Sequence, residues 1–164
     1  MRSAVRAPSK SSESHLSTPT DARPGVCYVC PVASKKYTVE EANQALPEVR
    51  RMVTRIVDIM PALPEMHETV RIAELKSRRQ GAGEAEQEQL AQTVASLRAA
   101  EMAVVVALRS LEAMDVTLKD AMTGLVDFLA DREGETVELC WRLGEERVAN
   151  WHRIGEGFPG RQPL

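Results

Sequence analysis

Most of the chemically specialised side chains of this 164-residue chain lie in residues 124–164. Both tryptophans, both phenylalanines, one of the three cysteines and one of the three histidines are found there, although aromatic residues make up only 4% of the sequence. Such crowding indicates a small, closely specified core or a binding site. We predict that seven side chains of this segment form a ligand-binding site: Asp127, Cys140, Arg142, Glu145, Trp151, His152 and Arg161.

A thiolate, an imidazole and a carboxylate from Cys140, His152 and Asp127 would form a ligand set that zinc or iron accepts. Their spacing is loose, because Cys140 and His152 are twelve residues apart and neither belongs to an adjacent ligand pair such as HExxH. The alternative is that Cys140 is a small buried apolar residue beside Trp141, a common role for a lone cysteine in a strand. On spacing alone we assign no metal ligand, and the cofactor stays unknown.

The same residue types also allow nucleophilic catalysis, with Cys140 as the nucleophile and His152 as the base. In that arrangement Asp127 or Glu145 would orient the base. No recognisable nucleophile motif surrounds Cys140, however. We therefore assign no catalytic residue and leave enzymatic activity open.

Two arginines, Arg142 and Arg161, stand close to apolar residues, where a guanidinium seldom stays unpaired. Pairing with a carboxylate of the same segment, such as Glu145, Asp127 or Glu138, is the favoured interpretation. Binding of an anionic ligand is the alternative.

The charge of the chain is unevenly distributed. Residues 1–36 carry six lysines and arginines against two acidic residues, whereas the whole chain has a net charge of −3. The remaining acidic body argues against electrostatic binding to nucleic acid, which needs a basic face. No apolar run approaches the length of a membrane helix, and the low, odd cysteine count is typical of reduced thiols, so we expect a cytoplasmic protein without a membrane partner.

Residues 1–36 show no helical or strand periodicity and are rich in small and polar residues. We predict that they form a disordered N-terminal extension, because such a composition buries too little apolar surface to offset the entropy of ordering. The pair Cys27 and Cys30 forms a CxxC motif within it. Half of a zinc site or a redox pair is one interpretation, but there is no second CxxC, so we favour an incidental feature.

A capping box marks the start of the first helix, because Thr38 and Glu41 are spaced so that each side chain can satisfy a backbone N–H of the other residue. Pro47 is expected to separate a first short helix from a longer one. Beyond it, apolar residues repeat at alternating spacings of four and three, which predicts a buried helical stripe. Its members are Val49, Val53, Ile56, Met60, Leu63 and Val70. Pro61 and Pro64 predict a kink or a local break within this stripe.

The sequence Gln80-Gly-Ala-Gly83 predicts a loop, and a second apolar stripe after it predicts a helix from about residue 84 to residue 119. Two amphipathic helices joined by a short loop bury their apolar sides by folding back on each other. After Gly124 the pattern changes to the alternation of β-strands, with apolar residues at 137, 139 and 141 and a hairpin turn over residues 131–135. The predicted fold class is α+β and mainly α: a long antiparallel helical hairpin followed by a small antiparallel β element, in one domain over residues 37–164.

Several stretches together resemble the DUF2203 family of uncharacterised proteins. They are Tyr37-Thr-x-Glu-Glu-Ala-Asn-x-x-Leu-Pro47, Gly124-Leu-Val-Asp-Phe128, Leu139-Cys-Trp-Arg-Leu-Gly-Glu145, Trp151-His152 and Gly157-Phe-x-Gly-Arg-Gln-Pro-Leu164. The resemblance covers about residues 37–164. It implies a helical hairpin followed by a small β element, and it brings no assigned activity.

Two functions are compatible with this pattern. The favoured one is an interaction or scaffold module that associates with a second copy, or with a protein partner, through its helical hairpin. A two-helix hairpin is thin, and several methionines lie on its surface, so it would leave apolar area to be covered. The alternative is a small-ligand or metal-binding protein, with or without enzymatic activity, that uses the C-terminal cluster of Cys, Trp, Arg and His.

Overall fold

The computed structural model describes residues 34–164. The CxxC motif and nearly all of the predicted N-terminal extension therefore lie outside the described residues. Within them, Lys36 already contacts the folded body, since its ammonium group lies 2.6 Å from the Asp131 carboxylate.

The first helix, α1, spans Val39–Ile59 and begins with the predicted capping box. The Glu41 N–H donates to the Thr38 hydroxyl at 3.1 Å, and the Thr38 N–H donates to the Glu41 carboxylate at 2.9 Å. The predicted division at Pro47 is wrong, because α1 continues through this residue. Pro47 is exposed, while the neighbouring Leu46 and Val49 are buried in the core and keep the helix continuous. Tertiary packing therefore outweighs the proline penalty here.

The predicted break near Pro61 and Pro64 is confirmed. A 3₁₀ turn over Met60–Ala62 separates α1 from α2, which spans Leu63–Ser77. After a turn, α3 spans Glu84–Ala113, and both α1 and α2 contact it. No helix within residues 34–164 is long and apolar enough to cross a membrane.

The predicted end of the second helix at residue 119 is wrong. Asp115 adopts a left-handed backbone conformation with φ of 54°, which ends the helical path, and Val116–Asp120 forms strand β1 instead. Pairing of this segment with the next strand supplies the backbone hydrogen bonds that a longer helix would have made.

The strands form one antiparallel sheet in the order β1-β2-β3-β4-β5. Its other members are β2 (Leu125–Arg132), β3 (Glu135–Arg142), β4 (Asn150–Arg153) and β5 (Gln162–Pro163). The predicted hairpin turn is confirmed: Glu133 and Gly134, both with positive φ, connect β2 to β3 as a two-residue turn. The fold class is thus α+β, with helices as the larger part.

The two faces of the sheet differ in chemistry because successive residues of a strand point to opposite sides. On one face Val126, Phe128, Leu139 and Trp141 pack in a hydrophobic core with α1 and the last turns of α3. The opposite face carries polar and titratable side chains, several of which are also buried.

Gly124 fixes how closely α1 approaches the sheet. Its φ is +66°, and a Cβ there would lie 2.6 Å from Val53 Cγ1 and 2.7 Å from Leu143 Cβ. Any side chain would push the helix away from the start of β2, so glycine is required at this point of contact.

Candidate functional site

Three adjacent strands place Asp127, Cys140 and His152 on the face of the sheet opposite the hydrophobic core. Asp127 of β2 lies directly across from Cys140 of β3, and His152 of β4 lies across from Glu138, two residues before Cys140. One carboxylate oxygen, the thiol sulfur and one imidazole nitrogen lie within 4.8 Å of one another. Asp127 is 2% exposed, and Cys140 and His152 are fully buried.

Several polar atoms of this cluster are buried without a hydrogen-bond partner. They include both carboxylate oxygens of Asp127 and Nε2 of His152. These two groups face each other, with Nε2 3.3 Å from Asp127 Oδ2 but without hydrogen-bond geometry. Burying a carboxylate without a partner is costly, so the cluster needs a proton or a cation between its acceptors.

The orientation of the His152 ring is set from its other nitrogen. Nδ1 lies 2.9 Å from the carbonyl oxygen of Arg153 and 3.5 Å from a carboxylate oxygen of Glu138. Since a carbonyl can only accept, Nδ1 carries the hydrogen and donates it. Nε2 is therefore the nitrogen directed towards Asp127 and Cys140. Metal-binding histidines are typically fixed in this way, by a carbonyl or carboxylate on the far nitrogen.

An ammonium group closes one side of the cluster. Lys119 of β1 donates to Glu138 at 2.7 Å, and its Nζ lies 3.6 Å from Asp127 Oδ2. The hydrogen bond to Glu138 raises the pKa of Lys119, so the lysine is charged. The sequence-based interpretation missed Lys119 because it assigned this residue to the end of a helix. Its alternation with Leu118 in a strand would have placed it on the polar face.

The protonation state of Cys140 follows from its surroundings. Burial, and then the neighbouring Asp127 carboxylate, raise the pKa of the thiol to about 12. A nucleophilic cysteine needs a lowered pKa. The raised pKa of the thiol therefore argues against an arrangement in which Cys140 is the nucleophile and His152 the base.

Arg161 holds the last segment of the chain against this face of the sheet. Its guanidinium donates to both carboxylate oxygens of Glu145 at 2.7 Å and to the carbonyl oxygen of Cys140 at 3.2 Å. Burial alone would raise the pKa of Glu145, but the hydrogen bonds from Arg161 and from the Arg142 N–H lower it overall. The bidentate pair is the carboxylate pairing that the sequence favours for its arginines.

A family model described as "Uncharacterized conserved protein (DUF2203)" matches residues 35–164. The chain belongs to the DUF2203 family. All the residues of the cluster and the Glu145–Arg161 pair lie inside the matched range. Neither the curated proteins nor the solved structures contain a match to this member of the family.

Two of the predicted site residues lie away from the cluster. Trp151 pairs with Leu139 on the core side of the sheet, so it does not share the face of the cluster. Its neighbour His152 points to the other face because of the strand alternation. Arg142 shares the face of Cys140, but it is exposed and its guanidinium lies 5.0 Å from the centre of the Phe158 ring.

Proposed function

We propose that this protein binds a divalent transition-metal ion, with zinc as the best match, through Asp127, Cys140 and His152. The observation that carries the proposal is the convergence of the three donor atoms within 4.8 Å, in a buried cluster whose carboxylate oxygens and Nε2 have no hydrogen-bond partner. A metal ion would satisfy these orphan acceptors together.

The geometry needs little adjustment to hold zinc. Nitrogen, oxygen and sulfur ligands lie about 2.0–2.3 Å from zinc, which puts tetrahedral ligand atoms about 3.3–3.8 Å apart. The cluster would contract by about 1 Å at its widest spacing to reach these values. Thiolate and imidazole donors favour zinc or ferrous iron over magnesium or calcium.

Charge balance also supports a dication in this position. A metal-bound thiolate and a carboxylate neutralise two positive charges, and His152 contributes a neutral ligand. The two nearby cations are paired separately, Lys119 with Glu138 and Arg161 with Glu145. A site of zero net charge can be buried at a lower desolvation cost. A reducing cytoplasm, which we propose as the compartment, would keep the Cys140 thiol free for the metal.

The proposal is tested by titrating chelator-treated protein with zinc against a chromophoric competitor. We expect one bound ion per chain, and a loss of affinity of at least 10 to 100-fold in C140S and in H152Q, since even indirect partners of a metal have effects of this size. D127N is the isosteric third variant, and thermal unfolding followed by circular dichroism checks that each variant is folded.

Two control variants separate this site from other thiols and imidazoles. C27S/C30S removes the CxxC motif, and H67Q removes an imidazole that lies 3.2 Å from Glu101 on the helices. Both should bind zinc as the wild type does. Loss of the metal in C27S/C30S, with C140S unaffected, would place the ion elsewhere. A chain that takes up no metal would contradict the proposal.

A second function, self-association, is favoured by a separate observation. The helices leave large apolar side chains uncovered, with Met102 60% exposed and Val106 55% exposed on α3, and Leu75 53% exposed on α2. We propose that α1 and α2 form an antiparallel, coiled-coil-like hairpin with α3, and that this hairpin contacts a second copy or a protein partner. Sedimentation velocity over a range of concentrations would show a dimer that M102E/V106E weakens and that T117E, on β1, does not. A strictly monomeric wild type at high concentration would contradict self-association.

A further inference from the structure

We infer that the proposed metal ion has an exchangeable fourth ligand, a small anion that accepts a hydrogen bond from Arg161. This inference rests on the proposed metal site. To the three protein ligands it adds a small anion as the further ligand and Arg161 as the residue that holds this anion.

The protein supplies three donors, and tetrahedral zinc needs a fourth. Glu145 is paired with Arg161, and a further acid beside the cluster is Glu138. It is committed to Lys119 at 2.7 Å, and its other oxygen lies 3.5 Å from Nδ1 of His152, on the side of the ring away from Nε2. Glu138 therefore orients the histidine and does not complete the coordination. The fourth position is left to a group from solution.

Arg161 carries a donor that none of the described residues accepts. Two of its guanidinium nitrogens are occupied by Glu145 and by the carbonyl of Cys140, whereas Nε is buried and has no partner. An unpaired buried N–H is costly, so an acceptor from outside the chain is expected there.

The orphan donor and the orphan acceptors belong to one neighbourhood. Arg161 donates to the carbonyl oxygen of Cys140 at 3.2 Å, and Asp127 lies directly across from Cys140 on the neighbouring strand. Neither Nε of Arg161 nor either carboxylate oxygen of Asp127 has a hydrogen-bond partner among the described residues. A metal on the acceptors and an anion that binds both the metal and Nε would satisfy all these atoms together.

The direction of Nε is fixed by the rest of the guanidinium. Glu145 binds its other edge with two hydrogen bonds, and the Phe158 ring lies 4.8 Å from its centre. A guanidinium held by a bidentate carboxylate and an aromatic ring presents its Nε donor in one direction, and an oxyanion or another small anion can accept from it. Because both Nε and the metal ligands are buried, the anion must be small.

The test uses the full chain loaded with cobalt(II), whose visible bands respond to a change of ligand. Titration with azide should shift these bands with saturation at one equivalent per metal, and acetate should compete. In R161Q, measured with cobalt at a saturating concentration, the azide affinity should fall by about 10 to 100-fold, the value for one charge-assisted hydrogen bond. Inorganic phosphate tests the size limit and should compete poorly.

Two further variants separate anion binding from a structural role of the arginine. R161K keeps the charge but not the Nε donor, and it should bind azide weakly while it folds normally. E145Q weakens the pair that orients Arg161 but keeps Nε, and it should retain more azide affinity than R161Q. Cobalt bands that ignore both azide and phosphate would overturn the inference and leave the metal site standing. A wild type that binds no cobalt would overturn both.

Discussion

Two regions of the molecule differ in how much of their surface is buried. The sheet end is the sheet with α1 and the last turns of α3, and the distal helices are α2 and the part of α3 before Leu97. In the sheet the core face is buried against α1 and α3, and on the opposite face the side chains of Asp127, Cys140 and His152 are buried as well. In α2 the only buried residue is Ala73, and the buried residues of α3 begin at Leu97. The distal helices pack on each other, but they bury little apolar area.

This difference has consequences for stability and function. A region with many buried contacts opens only when the whole domain unfolds, whereas a region with few can open locally at low cost. The candidate site lies in the first kind of region, where three strands fix the donor atoms from three separate segments of the chain. Ile72 and Leu75, two exposed apolar side chains of α2, lie in the second kind, which suits a surface that adapts to a partner.

The sharpest test of this contrast is the reactivity of a thiol in each region. In metal-free C27S/C30S, Cys140 should react with a thiol reagent at least about a thousandfold more slowly than an exposed cysteine, because its pKa of about 12 leaves very little thiolate near neutral pH. The exposed reference is T69C on α2, in the same background. The rate at Cys140 should keep rising at pH values where the reference rate has levelled off. Equal rates at the two positions would show that the sheet end opens readily.

A large-to-small substitution should lower the free energy of unfolding far more at the sheet end than in the distal helices. F128A removes a fully buried ring between the sheet and α1, and it should lower the free energy of unfolding by about 3–5 kcal/mol. L75A, at a half-exposed position of α2, should change it by no more than about 0.5 kcal/mol. Urea unfolding at one pH measures both. Similar losses in the two variants would mean that the distal helices contribute to the same core.

The contact between α1 and the sheet can be tested with two glycines that share a backbone constraint. Gly124 and Gly134 both have positive φ, but a Cβ at Gly134 meets no atom within 4 Å, whereas at Gly124 it meets Val53 and Leu143. G124A should therefore destabilise the protein by about 1–3 kcal/mol more than G134A, the typical cost of overpacking. Equal effects would show that only the backbone conformation matters at Gly124.

Local rules in the sequence predict much of this fold. The capping box at Thr38 and Glu41 and the hairpin turn before β3 depend on neighbouring residues alone, and both are confirmed. Strand alternation also places Asp127 and Cys140 on one face, because a residue and its cross-strand partner always share a face. The shared face of Asp127 and Cys140 therefore follows from the sequence once the two strands are paired.

What the sequence did not predict depends on long-range contacts. Val116–Asp120 continues the apolar pattern of α3, and its strand character arises from pairing with β2. Lys119 was missed for that reason. The sequence of a short strand does not show which of its faces meets the core, and only the pairing of β4 with β3 puts Trp151 on the core face and His152 on the opposite one.

The smallest change in stability is expected when one ion pair of each region is broken, Glu145 with Arg161 at the sheet end and Glu68 with Arg71 in the distal helices. Hydrogen bonds from Arg161 and the Arg142 N–H hold the pKa of Glu145 below its ordinary value, although burial acts the other way. A carboxyl group with a lowered pKa stabilises the fold above its unfolded pKa, and this contribution disappears as the pH falls through the folded pKa. The free energy of unfolding should therefore fall on acidification below about pH 4.5, and E145Q should remove about 1 kcal/mol of that fall.

The matched pair in the distal helices is Arg71 with Glu68, whose side chains are 64% and 51% exposed. E68Q should leave the acid unfolding curve unchanged within error, because exposed pairs are screened by solvent. If E68Q and E145Q flatten the curve equally, the ion pair at the sheet end gains nothing from its burial, and the contrast between the two regions does not extend to their charges.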